Sequence, residues 1–218
     1  MKIGIIGTGI VGNTIGTALI AKGHEVKMGS RDATNAKAAE WTNANGKNAS
    51  QGTFEDAAQF GDIIFNCTKG EHSLEALKAA GEQNLAEKIL VDVANPLDFS
   101  KGMPPTLTLV NDTSLGETIQ NVFPETKVVK TLNTLSSALM VDPNKIANGD
   151  HNIFICGNDA GAKQTVKELL HDNFNWKTEN IIDLGDITNS RGTEQLLPIW
   201  IRLWGALGTS DFNFKIVR

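Results

Sequence analysis

The chain has 218 residues, of which 40% are hydrophobic and 21% charged, and its formal net charge at pH 7 is −5. This length is enough for one or two domains with a full core, and the composition is typical of a globular protein. An acidic balance without a dense Lys/Arg block argues against nucleic acid as a partner. The most apolar stretch, residues 196–207, contains Pro198 and Arg202. It is shorter than the roughly 20 residues of a membrane span, so we expect no membrane partner.

The start of the chain and its cysteines indicate a cytoplasmic location. Met1-Lys2-Ile3 leads directly into a strand pattern with glycines, which is unlike a signal peptide. Cys67 and Cys156 adjoin apolar runs, so we expect reduced core thiols and no disulfide. The histidines are scattered and the chain has neither a CxxC nor an HExxH motif, so the sequence indicates no metal site.

Short apolar runs flanked by glycine alternate with longer amphipathic stretches through the first 135 residues. The predicted strands are 2–6, 25–28, 63–67, 89–93 and 127–131, and the predicted helices are 11–22, 33–44, 54–58, 73–80 and 115–123. This alternation predicts a Rossmann-type α/β fold, doubly wound around a mainly parallel sheet.

After Asn133 the pattern is looser, with predicted strands at 152–156 and 181–184 and predicted helices at 160–170 and 193–205. We therefore predict a larger domain of residues 1–135 and a small C-terminal α/β lobe of residues 136–218. Trp200 and Trp204 lie four residues apart on the last helix, which is apolar nearly all round. This face either packs on the sheet or forms the interface of a homodimer, and we expect the homodimer.

The segment Gly7-Thr8-Gly9-Ile10-Val11-Gly12 follows the first predicted strand and opens the first predicted helix. In a GxGxxG turn with this context, Gly7 permits the tight turn, Gly9 lets a pyrophosphate approach the backbone, and Gly12 lets the helix pack on the strand. The helix N-terminus then offers N–H groups to the anion. The pattern predicts dinucleotide binding by residues 1–135; the alternative is a purely structural turn.

The residues after the second strand indicate which dinucleotide binds. A carboxylate about 20 residues past the glycines accepts from the ribose in NAD proteins, whereas a 2′-phosphate requires donors. Here Ser30 offers a hydroxyl and Arg31 a bidentate cation, which favours NADP(H). Asp32 leaves NAD as an alternative. In a third interpretation Ser30 and Asp32 cap the next helix and Arg31 is solvated.

Taken together, several segments resemble the NADPH-dependent coenzyme F420 reductase family. The same signature is similar to the reductase domain of the six-transmembrane epithelial metalloreductases. The resemblance covers nearly the whole chain and is more specific for fold and NADP than for the hydride acceptor. The segments that carry it are Gly7–Gly12, Gly29–Arg31, Asp92–Pro96, Val128–Thr134, Phe154–Asp159 with Ala162-Lys163, and Leu203–Gly208.

The resemblance implies an NADP(H) oxidoreductase whose acceptor is a deazaflavin (coenzyme F420) or a flavin. It places Thr8, Gly9, Ile10 and Val11 at the pyrophosphate, and Ser30 and Arg31 at the 2′-phosphate. It places Cys67, Thr68 and Lys69 beside the adenosine half, and Ala94, Asn95, Pro96, Asn133, Thr134 and Leu135 beside the nicotinamide. These positions end parallel strands, where ligands bind in open α/β sheets.

Hydride transfer between a nicotinamide and a flavin-type ring requires stacked rings and exclusion of water, not a side chain that changes protonation. The chain shows no acid–base triad. We therefore expect positioning by the turns Asn95-Pro96 and Asn133-Thr134 and assign no residue a certain catalytic role. The C-terminal helix is expected to close the acceptor site.

Two other functions stay open. The spacing of Lys130 and Asn133 resembles the Lys-x-x-Asn of hydroxyacid dehydrogenases, in which the lysine is the general acid/base. That motif belongs on a helix, whereas Lys130 ends a predicted strand, so we expect a surface lysine at the strand edge. The other function is a non-catalytic NADP-binding regulatory module. His72 follows a strand end near the crevice, where we expect a capping or solvated role, and we expect Cys67 to belong to the core.

Overall fold

A sheet of eight strands forms the centre of the molecule. The computed structural model describes all residues, 1–218. The strands are β1 (Lys2–Ile6), β2 (Glu25–Ser30), β3 (Ala49–Thr53), β4 (Ile63–Asn66), β5 (Ile89–Asp92), β6 (Leu97–Asp98), β7 (Thr106–Leu107), β8 (Lys127–Thr131), β9 (Ile153–Cys156) and β10 (Ile181–Asp183). The helices are α1 (Ile10–Ala21), α2 (Ala36–Asn45), α3 (Phe54–Phe60), α4 (Gly70–Ala80), α5 (Glu82–Leu85), α6 (Leu115–Val122), α7 (Ser137–Val141), α8 (Ala160–Phe174), α9 (Ser190–Gln195) and α10 (Leu197–Leu207).

The order of strands in the sheet is β10-β9-β8-β5-β4-β1-β2-β3, while β6 and β7 form a separate hairpin. All neighbours in the large sheet are parallel except β8 and β9. The chain builds outward from β1 through β2 and β3, then returns to the other side of β1 with β4. Such a reversal opens a crevice at the carboxyl ends of the strands. The predicted doubly wound, mainly parallel fold is confirmed.

Two apolar cores lie on opposite faces of the sheet. One contains Ile15 of α1, Trp41 of α2 and Val166 of α8, and the other contains Leu77 of α4 and Ile119 of α6. The central strands are buried on both faces, which is why they consist of continuous apolar runs instead of alternating ones. Each helix of the structure falls short of a membrane span in its length or in its apolar character.

The sequence did not predict the short elements β6, β7, α5 and α7, and two further differences have a clear physical cause. The edge strand β3 was not predicted, because Ala49–Thr53 has no apolar run; its pairing with β2 creates it. The single helix predicted over 193–205 is two helices, α9 and α10, which meet at Leu196. Pro198 lies in the first turn of α10, where its missing N–H costs nothing, so it begins a new helix there.

The sheet continues across the predicted boundary at residue 135. Lys130 of β8 lies opposite Cys156 of β9, and β10 extends the same sheet. After α10 the chain returns to β9, where the N–H of Asn152 donates to the carbonyl of Phe214 at 2.9 Å. The division into residues 1–135 and 136–218 stays a prediction, and any such lobes share one sheet.

Candidate functional site

The glycine turn between β1 and α1 leaves open space where its middle glycine lies. Gly7 has a φ of +121°, and a Cβ there would lie 2.7 Å from the carbonyl oxygen of Cys67. A Cβ at Gly12 would lie 2.5 Å from the carbonyl oxygen of Gly7, so α1 packs directly on the turn. A Cβ at Gly9, in contrast, would meet no protein atom within 4 Å, and no side chain caps α1. The turn therefore fits a pyrophosphate, which would occupy that space and accept from the helix N-terminus.

A cavity of about 330 Å³ adjoins this turn. The predicted residues that line it are Gly7, Thr8, Gly9, Ser30, Arg31, Cys67, Thr68 and Lys69. Ile10 lines a neighbouring groove between α1 and α2 and is 77% exposed. The other predicted residues lie outside this cavity: Val11, Gly12, Ala94, Asn95, Pro96, Asn133, Thr134 and Leu135. The structure thus brings Thr8 and Gly9 of the expected pyrophosphate residues together with the expected 2′-phosphate and adenosine residues, but not Ile10 and Val11.

The end of β2 arranges its polar groups differently from the capping interpretation. The carboxylate of Asp32 accepts from the backbone N–H and the hydroxyl of Thr34, and these bonds hold the pKa of Asp32 below its ordinary value. Asn35, not Ser30 or Asp32, caps α2 by accepting from the N–H of Ala38 at 3.1 Å. Ser30 is buried and donates to the backbone carbonyl of Asp32. Because Asp32 does not line the cavity, it is poorly placed to hold a ribose.

Lys37 also lines the cavity, and the sequence analysis missed it. It lies in the first turn of α2, beside Arg31 and Ser30 in the same wall. A cation is unfavourable at a helix N-terminus, because the helix dipole is positive there. The helix predicted over 33–44 placed Lys37 beyond its first turn, so this signal was absent from the sequence; it arises because α2 begins at Ala36.

At the ends of β5 and β8, the two predicted nicotinamide turns are joined. The side chain of Asn95 donates to the carbonyl of Asn133 at 2.8 Å, and the side chain of Asn133 donates to Oδ1 of Asn95 at 2.9 Å. Leu132, which precedes Asn133 in the chain, is buried and has a φ of 60°. This lies in the left-handed region, which residues with a branched side chain rarely adopt. Asn133, whose side chain bonds to Asn95, directly follows this residue.

The prediction of a surface position for Lys130 is wrong. Lys130 is 0% exposed, and its ammonium lies 2.8 Å from Asp92, 2.8 Å from Glu194 and 2.5 Å from the carbonyl of Ala94. Burial lowers the pKa of the Lys130 ammonium, but the charges of Asp92 and Glu194 outweigh it and raise the pKa overall. All three N–H donors are used within the protein. This lysine is therefore poorly placed to act as a general acid toward a substrate.

The remaining candidates agree with the simpler interpretations. The side chain of His72 is 51% exposed in the first turn of α4, 3.6 Å from the carboxylate of Glu71. Cys67 and Cys156 are buried free thiols. Burial raises the pKa of Cys67 and raises that of Cys156 to about 12, so neither is an activated nucleophile.

Comparison with known proteins identifies the family. The model of the family described as "NADP oxidoreductase coenzyme F420-dependent" matches residues 2–96. The F420-dependent NADP reductase of Methanocaldococcus jannaschii is 34% identical over 213 residues, which are 93% of this chain and 92% of that protein. The chain belongs to this family. The family resemblance seen in the sequence is confirmed.

Two further relatives extend the comparison. A crystal structure of a candidate F420-dependent NADP reductase from Arthrobacter sp. FB24 is 54% identical, covers 100% of both chains and superimposes with a TM-score of 0.94. Metalloreductase STEAP3 of Rattus norvegicus is 31% identical over 205 residues, and the chain spans 38% of its length. These relatives confirm the prediction of an NADP-dependent oxidoreductase.

Proposed function

We propose that this protein transfers hydride between NADP(H) and a flavin-type acceptor, with the deazaflavin coenzyme F420 as the first candidate. The observation that carries the proposal is the open turn at Gly9 beside a wall that contains Ser30, Arg31 and Lys37. Anionic pyrophosphate and 2′-phosphate groups match this arrangement, because it offers an uncapped helix N-terminus and two cations. NADH lacks the 2′-phosphate and would gain nothing from Arg31 or Lys37.

The side chains around the two joined turns support hydride transfer without acid–base catalysis. NADPH, when bound, supplies the hydride. The acceptor takes up this hydride, and the proton that balances the reaction comes from water. Asn95, Asn133 and Thr134 carry amides and a hydroxyl, which orient a ligand without changing their own protonation. Their role in the proposal is to position the ring and to limit access of water.

The two alternatives receive less support. A small-substrate dehydrogenase requires a general acid, but the ammonium of Lys130 is held by three protein oxygens and has no exposed surface. A regulatory module without turnover would need the same NADP(H) cavity, so only a turnover measurement separates it from the enzyme. The similarity to proteins named as F420-dependent NADP reductases favours the enzyme.

We further propose that the protein is a homodimer and acts in the cytoplasm. The helix α10 exposes Ile199, Trp204 and Leu207, which are 46%, 45% and 57% exposed. Large apolar side chains on one exposed helix favour a protein interface. We propose that a second copy of the chain on this helix also closes the acceptor site.

Anaerobic stopped-flow oxidation of NADPH by the purified protein tests the proposal. Deazaflavin, FMN, FAD and ferric chelates are offered separately, and NADH serves as the matched control. We expect rapid oxidation with deazaflavin, and little with NADH in place of NADPH. Turnover with FMN or FAD alone would replace deazaflavin by a flavin. Tight NADPH binding without turnover would favour the small-substrate dehydrogenase or the regulatory module.

A further inference from the structure

Below the crevice, three polar side chains stand side by side in the sheet. Asn66, Asp92 and Lys130 lie opposite one another on β4, β5 and β8, and each is 0% exposed. We call these three residues the buried polar row. Asn66 donates to Oδ1 of Asp92 at 2.8 Å, and Lys130 donates to Oδ2 at 2.8 Å. Apolar residues at these positions would avoid the cost of burying charge, so the row requires an explanation beyond packing.

Glu194 of α9 completes the charge balance of the row. Its carboxylate lies 2.8 Å from the ammonium of Lys130 and accepts from the N–H groups of Leu115 and Gly116 at 2.8 and 3.0 Å. These N–H groups begin α6, whose dipole favours an anion there. One ammonium and one helix N-terminus thus compensate two buried carboxylates. The arrangement is fully hydrogen-bonded, so it defines one geometry.

The row is connected to both turns of the proposed nicotinamide site. The third donor of Lys130 bonds to the carbonyl of Ala94 at 2.5 Å, where the turn to Asn95 begins. Along its own strand, Lys130 is followed by Thr131 and the strained Leu132, which leads to Asn133. Asn95 and Asn133 then bond to each other. A closed loop of bonds therefore runs from Lys130 through both turns.

We propose that Lys130 is a positioning residue, which holds the Ala94–Pro96 and Leu132–Thr134 turns in the geometry that receives the nicotinamide ring. The inference rests on the proposed NADP(H) function. Lys130 acts through the turns and does not touch the ligand. Glu194 has the same role from the opposite side, because it fixes the ammonium against the start of α6.

The test removes the charges of Asp92, Lys130 and Glu194 at once. A single substitution of Lys130 would leave two carboxylates buried without a cation and endanger folding. The triple variant Asp92→Asn, Lys130→Met, Glu194→Gln nearly keeps the side-chain sizes. It removes the three charges and the hydrogen bond from Lys130 to the carbonyl of Ala94. The matched control is Lys163→Met with Asp183→Asn, which removes an ion pair of 2.8 Å at the far edge of the sheet.

Calorimetry measures the affinity of each protein for NADPH and for 2′,5′-ADP, a fragment without the nicotinamide. We expect the triple variant to bind the fragment with a Kd within about twofold of the wild-type value. The ratio of its Kd for the fragment to its Kd for NADPH should fall about tenfold. Single-turnover hydride transfer should also fall at least about tenfold. The control should match wild type in every measurement.

The inference is overturned if the folded triple variant keeps the wild-type preference for NADPH. If the triple variant does not fold, the single variant Glu194→Gln is used instead, since it leaves one cation with one carboxylate. An unchanged preference of this variant for NADPH over the fragment overturns the inference, and a reduced preference supports it. Failure of both variants to fold also overturns it, because the cluster then serves only the fold. If wild type itself binds the fragment but shows no preference for NADPH, or binds neither, the proposed function fails instead.

Discussion

Replacement of Gly9 by alanine separates ligand binding from folding. The backbone at Gly9 has φ −82° and ψ −178°, which alanine adopts freely, and the new Cβ would meet no protein atom within 4 Å. Replacing a glycine by alanine reduces the conformational entropy of the unfolded chain, which raises the free energy of unfolding by about 0.4–1 kcal/mol. Alanine is a poorer N-cap by a similar amount, so the free energy of unfolding should change by less than about 1 kcal/mol.

The effect on binding should be much larger, because the Cβ enters the space that the pyrophosphate requires. Loss of one charge-assisted hydrogen bond costs about 1.5–3 kcal/mol, which corresponds to a rise in Kd of about 10- to 150-fold. Titration calorimetry with NADPH measures the Kd, and denaturant unfolding measures stability. The matched control is Gly205→Ala on α10, where a Cβ also meets no atom within 4 Å. Wild-type affinity in Gly9→Ala would show that the pyrophosphate does not lie on this turn.

Three further predictions concern the cations, the thiols and the assembly. Arg31→Ala and Lys37→Ala should each weaken NADPH binding by about 1.5–3 kcal/mol and leave NADH unaffected; equal weakening of both dinucleotides would contradict the 2′-phosphate assignment. Cys67 and Cys156 should resist thiol reagents at pH 8 until the protein unfolds. Since their pKa values are raised above 9.0 in the folded state, the unfolded chain loses these protons first, and the free energy of unfolding should fall as pH rises past 9.0. A double alanine variant that shows the same decline would exclude the thiols as its cause. Light scattering should give about twice the chain mass of 23.4 kDa, and Trp204→Glu should give the monomer; a wild-type mass near 23.4 kDa would disprove the dimer.

Much of the fold was predictable because it depends on neighbouring residues. The run of isoleucines in β1 and the glycines that follow it have one common structural solution, a buried strand and a tight turn into a helix. Strand β3 was missed for the opposite reason. Its sequence is small and polar, and its strand geometry arises from hydrogen bonds to β2.

The site was predictable to the same extent. Ser30 ends β2 and Arg31 follows it, and parallel strands end at a common edge, so their place in the crevice follows from a strand that the sequence identifies. Lys37 was missed because its side chain reaches the cavity only through the orientation of α2 on the sheet.

Sequence alone therefore determined the fold class and the family, and it predicted the dinucleotide turn and the preference for NADP, since each depends on residues that are adjacent in the chain. The role of Lys130 depended on the tertiary structure. Its ammonium is buried because strand register places Asp92 beside it and because α9 brings Glu194 from far along the chain. Pairing between distant charges has no local pattern, so the same lysine looks like a surface residue in the sequence but ends the buried polar row, bonded to both Asp92 and Glu194, in the folded protein.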